Sequence, residues 1–217
     1  MPRRMADHRF RSQQWQQRRA AHIARINRLV DRLRRTPGRR AVPYVAPMYG
    51  GVNARLLSLL RDPGPKTQSK GGSGFLSMEN DDMTAETISR LFAAVGIDPK
   101  DIVPWNIYPW YINRAPNARE LKAGIVPLKR IIDLMSKLRV VMLHGGSARS
   151  GWKQLTRQYP TLVADRGLHV IATYHTSRQA FWHREASVRE ARRKHLTESF
   201  SEAAQNLRRP KRRSPKL

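Results

Sequence analysis

Arg55-Leu-Leu-Ser-Leu-Leu60, running directly into Arg61-Asp62-Pro63, is the stretch that decides the fold. A short, nearly continuous apolar run stopped by an acid and a proline reads as a strand buried on both faces, the kind found in parallel sheets. Three more such runs follow. Ile102–Trp105 precedes Asn106, Arg139–Leu143 precedes His144-Gly-Gly-Ser147, and Leu168–Tyr174 precedes His175. Between them the 3.6-residue period predicts helices over Thr84–Val95, Ile125–Leu138 and Ala148–Arg157, with a basic helix over Trp182–Leu207 after the last strand. Strand alternating with helix predicts an α/β protein of three layers, α/β/α, around a central, mainly four-stranded parallel sheet.

In such a sheet the carboxyl ends of the strands share one edge, and ligands bind in the crevice there. Asp62, Asn106 and His175 each stand just past a predicted strand, so an acid, an amide and an imidazole are expected in one pocket. Gly72-Ser-Gly-Phe75 adds an aromatic ring on a flexible loop. Together they suit an enzyme that grips a flat, polar, ring-shaped group.

Composition bounds the rest. The chain has 217 residues, no cysteine and seven scattered histidines, so disulfides, cysteine-ligated zinc and iron–sulfur clusters are excluded and no metal is expected. No apolar run is long enough to cross a bilayer, and a cytoplasmic, nucleoid-associated location is expected. The formal charge of +26 is concentrated at the ends. Residues 1–40 carry 13 Arg against two Asp, and residues 184–217 carry 11 Lys or Arg against four Glu. Cations so placed release counterions from a polyanion, which predicts a nucleic-acid partner. The expected organisation is a basic extension over residues 1–41, disordered to residue 11 and helical over Ser12–Arg35, then an α/β domain over 42–207 and a basic tail over 208–217.

Five segments in order resemble the uracil-DNA glycosylase superfamily. They are Leu60-Arg-Asp-Pro-Gly-Pro65, Gly74-Phe-Leu-Ser-Met-Glu-Asn80, Trp105-Asn-Ile-Tyr-Pro-Trp-Tyr111, Leu143-His-Gly-Gly-Ser-Ala148 and Tyr174-His-Thr-Ser-Arg178. The resemblance implies a monomeric DNA-repair glycosylase without cofactor or metal that flips a uracil or related deaminated base and hydrolyses its N-glycosidic bond. It implies that Phe75 stacks on the base and Asn106 reads its Watson–Crick edge. Asp62 would position water or stabilise the cationic sugar, and His175 would donate to the departing base. Ser147, Ser177, Arg178 and Gln179 would touch the DNA, with Lys66 and Lys70. The loop carrying these lysines, Ser69 and Ser73 reads equally as a phosphate cradle or as solvated surface.

The departures from the family pattern bear on specificity. Gly64 stands where the best-known branch has a Tyr that shields C5 of uracil. Leu60 replaces a Gly, Thr176 replaces a Pro, and Arg178, Gln179 and Ala180 replace the apolar wedge, for which Phe181 or Trp182 are substitutes. These changes leave open a non-catalytic nucleic-acid-binding protein on the same fold.

Overall fold

The computed structural model describes residues 3–209. The chain opens with two helices, α1 (His8–Gln16) and α2 (Ala21–Arg34), then β1 (Tyr44–Val45), β2 (Leu56–Leu60) and β3 (Phe75–Leu76). After α3 (Met83–Ala94) come β4 (Ile102–Asn106), α4 (Ala118–Leu134), β5 (Val140–His144), α5 (Gly146–Gln158), α6 (Leu162–Arg166) and β6 (His169–Thr173). Two last helices close it, α7 (Arg178–Phe181) and α8 (Ala186–Arg208). The expected sheet is present: four parallel strands in the order β4-β2-β5-β6, flanked by helices. Every residue of β4 and β5 is buried, as the apolar runs required.

The register places the strand ends in one row. Leu60 faces Asn106, Leu59 faces Leu143, and His144 faces Thr173. Asn106 is therefore the last residue of its strand rather than the first beyond it. One helix fixes that position by unusual closeness: a Cβ on Gly124 of α4 would lie 1.8 Å from the carbonyl oxygen of Ile107, so only glycine lets α4 rest on the backbone beside Asn106.

Several predicted segments are corrected. The single helix over Ser12–Arg35 is two helices, and residues 3–11 are ordered, with Asp7 capping α1 by accepting from the Phe10 amide at 2.9 Å. The helix expected from Thr84 begins one residue earlier, at Met83, and its N-cap is Asp82, which accepts from Ala85 N–H at 2.8 Å. The helix expected from Ile125 begins seven residues earlier, at Ala118. There Asn117 and Glu120 form a reciprocal capping box, and the helix continues through the buried Pro127. The final basic helix, expected from Trp182, begins four residues later as α8 at Ala186, and the short α7 before it was not expected. Of the expected basic tail, residues 210–217 lie outside the described residues.

Helix α2 belongs to the hydrophobic core. Ile23, Ile26, Leu29 and Val30 of α2 are fully buried at three- and four-residue steps. Asn27 of α2 pins β1, donating to Val45 O at 3.1 Å and accepting from Val45 N–H at 3.0 Å. β1 in turn pairs with β3, Tyr44 opposite Phe75.

Candidate active site

Asp62 lies two residues beyond β2 with its side chain only 2% exposed. One carboxylate oxygen is held by the Arg61 guanidinium, and the other accepts from the Asn113 backbone N–H at 2.9 Å. Asn113 adopts a left-handed conformation (φ 55°), which brings the loop after β4 back to Asp62. Each oxygen keeps a second lone pair, so the carboxylate is fixed in orientation without being saturated.

His175 lies two residues beyond β6. Its Nδ1 accepts from the Ser177 backbone N–H at 3.1 Å. An accepting Nδ1 places the ring proton of the neutral imidazole on Nε2, which is left as a donor. Burial above all, and then the positive charge of Arg61, push the His175 pKa below the ordinary histidine value, so the ring is neutral at neutral pH. The chain after β6 also leans over the end of β5: a Cβ on Gly145 would stand 3.2 Å from the His175 Cβ. Gly145 (φ 87°, ψ 179°) occupies backbone space open essentially to glycine alone. This lean carries His175 one strand closer to Asp62, and the action of Arg61 on both groups joins them electrostatically.

Beneath them sits His144, 1% exposed, its Nε2 hydrogen-bonded to Ser58 Oγ at 2.9 Å. Burial, aided by His175, depresses its pKa to about 3. Among the described residues four buried side-chain atoms have no hydrogen-bond partner: Trp105 Nε1, Asn106 Oδ1, His144 Nδ1 and Thr173 Oγ1. All four belong to the last two residues of β4, β5 or β6. A buried polar atom left unpaired costs about 1–3 kcal/mol; Asn106, His144 and Thr173 share one face of the sheet, Trp105 the other, and a polar ligand at the carboxyl edge accounts for the first three.

Residues 47–204 match the family model described as the Uracil DNA glycosylase superfamily. The chain belongs to that superfamily. Its members are glycosylases of base excision repair and act on DNA. None of the curated proteins matches this chain.

Against the superfamily pattern, the strand-end residues Asp62, Asn106 and His175 stand along one sheet edge, while Phe75 is differently placed. Its ring is not on a flexible loop. It lies in β3, 0% exposed, with Trp15 of α1 at 4.8 Å and Tyr44 at 6.4 Å between ring centroids. The β1–β3 pairing and the separate helix α1, neither read from the sequence, enclose it. Gly64 faces open space: an added Cβ would meet nothing within 4 Å.

The residues expected to meet DNA divide. Lys66 and Lys70 are exposed, and Lys66 reaches Asp81 at 4.0 Å. Ser73 is no part of a phosphate cradle, since its buried hydroxyl bonds Asn80 Oδ1 at 2.6 Å and holds the loop closed. Ser147 is in the first turn of α5, at the carboxyl edge, and Ser177 precedes α7. Arg178 and Gln179 are exposed on α7. Among the described residues no group of three His, Cys, Asp or Glu side chains is placed to hold a metal ion. Glu79 and Asp82 are structural, the first bonding Arg4 and the second capping α3.

Sequence reasoning missed Arg61, His144 and Trp15. The first two adjoin motif residues, but their roles come from tertiary contacts. Trp182 is 75% exposed, and its carbonyl is held by Arg192 at 3.1 Å.

Proposed function

We propose that this protein removes uracil, or a related deaminated base, from DNA by hydrolysing the bond between base and deoxyribose. The observation that carries this reading is the unpartnered Asn106 Oδ1, buried in the same strand-end row that leads to Asp62 and His175. A carboxamide offers an acceptor and a donor side by side, the complement of uracil N3–H and O4. A base within a duplex cannot be reached, so it must be swung out at a cost of a few kcal/mol.

Breaking the glycosidic bond places positive charge on the sugar and negative charge on the base oxygens. The Asp62 carboxylate, oriented by Arg61 and Asn113, stabilises the first and orients the water that adds to C1′. The neutral His175, with its proton on Nε2, donates to the second. Both act on charge that develops in the transition state, which is where fixed groups accelerate a reaction most. The exposed Trp182 then fills the gap that the departed base leaves in the stack. The open space at Gly64 favours acceptance of 5-substituted pyrimidines.

The test is a single-turnover assay on oligonucleotides carrying one uracil, hypoxanthine, xanthine or 5-hydroxymethyluracil, in single and double strands, followed by alkaline cleavage. Uracil is expected to be released, and Asp62→Asn is expected to slow release by about 10²–10³-fold while leaving binding intact. No release of any base would overturn the reading. A non-catalytic DNA-binding role on the same fold would then take its place, a reading favoured by the enclosure of Phe75. In that case binding persists and Asp62→Asn changes nothing.

A further inference from the structure

Helix α2 has a second face that the core does not use. Arg25, Arg28, Arg32 and Arg35 follow one another at steps of three, four and three residues, and all are exposed. At 1.5 Å per residue they span about 15 Å. None takes part in an ion pair among the described residues. The charges nearby are already matched. Asp31 is held by Arg19 at 2.5 Å and Tyr44 at 2.6 Å, and Arg34 turns inward to Val42 O at 2.6 Å. Like charges three and four residues apart weaken a helix by roughly 0.2–0.5 kcal/mol per pair. This stripe is thus a cost to the isolated protein that a polyanion would remove.

Its direction is informative. The first turn of α2 lies against the amino end of the sheet, because a Cβ on Gly51 would be 2.0 Å from His22 O. Its last turn lies beyond the carboxyl end of β4, where Leu33 O accepts from Trp110 Nε1 at 3.0 Å. The stripe therefore runs up the β4 side of the domain and ends beside the candidate site. On the β6 side, α8 starts at the same edge with Arg184 and Arg193 exposed before and within its first three turns, next to Lys194, which pairs with Glu198 at 3.9 Å. The four strands between these flanks measure about 14 Å across, at about 4.8 Å per step. Two cationic flanks thus bracket the crevice, and a duplex laid across it meets both.

We propose that the arginine face of α2 is a second DNA-backbone contact, gripping the duplex beside the flipped nucleotide without reading sequence. This deepens the glycosylase reading by naming how the duplex is held, but its test does not need chemistry. The full chain and a variant with Arg25, Arg28, Arg32 and Arg35 changed to Gln are titrated with an undamaged DNA duplex of about 30 base pairs over a range of NaCl concentrations. A control variant loses four exposed cations elsewhere, Lys122, Arg130, Lys137 and Arg157.

The α2 variant is expected to melt at or slightly above the wild-type temperature and to lose roughly 3–4 from the slope of log K against log salt, at about 0.9 per phosphate contact. Its affinity near physiological salt falls at least tenfold, while the control variant loses much less. An unchanged slope, or an equal loss in the control, overturns the proposal. So does a greater loss on an RNA duplex than on DNA, or a loss confined to phosphatidylserine vesicles. If the slope falls but no base is ever released, the glycosylase reading fails and the duplex contact stands. If uracil is released and the slope is unchanged, the reverse holds.

Discussion

His144 makes stability depend on pH in a way that can be isolated. The ring is buried and neutral, with a pKa of about 3, whereas the unfolded chain has a histidine of ordinary pKa, 6.5. A base whose folded pKa is depressed stabilises the fold fully above the unfolded value. It loses that contribution as pH falls from there toward the folded value, because the unfolded state binds the proton first. The two pKa values give a loss of about 2 kcal/mol between pH 7 and pH 5, and of about 3 kcal/mol by pH 4. The remedy is His144→Gln, which keeps an amide for the Ser58 hydroxyl and removes the titration. Urea unfolding followed by tryptophan fluorescence at several pH values measures both proteins. Acid weakens each, through its carboxylates and the +26 formal charge, but the wild type should fall more steeply by about the amounts above. Parallel pH dependences would refute the reasoning. If the variant does not fold, the His144 ring proton shift in the wild type decides. It should stay constant from pH 8 to about pH 4, and titration near the ordinary value of 6.5 would equally refute it.

Three further outcomes are expected. Asn106→Leu should abolish uracil release yet leave the melting temperature equal or higher, because the unpaired Oδ1 costs about 1–3 kcal/mol when no base is bound; a clear loss of stability would show the amide to be structural. Gly145→Ala should destabilise by about 1–3 kcal/mol and slow excision more than it weakens DNA binding, since the backbone there excludes other residues and the new methyl meets His175; an unchanged turnover number contradicts this. Arg61→Gln should slow excision by acting through Asp62, so that in an Asp62→Asn background it changes the rate little; additive losses in the double variant would mean that Arg61 acts elsewhere.

The sheet was readable because buried parallel strands write themselves as apolar runs stopped by Asp-Pro, Asn or Gly. The same rule located Asp62, Asn106 and His175, whose meaning comes from their place after a strand. What could not be read has local causes. β1 and β3 are two residues long, too short for any period to show. The start of α4 was misplaced because a proline is best tolerated in a first turn, which fits a start near Ile125, although Asn117-Ala-Arg-Glu120 carries the capping-box pattern that initiates the helix. α1 is mostly Gln and Arg, and it is held by tertiary contacts: Gln14 Oε1 accepts from the Met48 amide at 2.9 Å, and Trp15 lies against Phe75.

That last contact bears on how far the family pattern can be carried. The match to the superfamily begins at residue 47, yet the ring assigned to base stacking is enclosed by Trp15 and Tyr44, both N-terminal to it. A Cβ on Gly74 would come within 2.6 Å of the Trp15 ring, so the segment bearing Phe75 is shaped around that indole. With no face of Phe75 open, a flipped base stacks on it only if Trp15 or Tyr44 moves, at the cost of separating aromatic pairs worth about 0.5–1.5 kcal/mol each beyond their buried area. Any stacking of a base on Phe75 therefore depends on the N-terminal region, which also belongs to the core. Deleting residues 1–35 would remove the buried Ile23, Ile26, Leu29 and Val30 and expose the surface they cover, so it would unfold the domain before it reported on DNA binding. The contribution of this region to recognition has to be measured by surface substitutions on α2 and by conservative changes at Trp15, never by truncation.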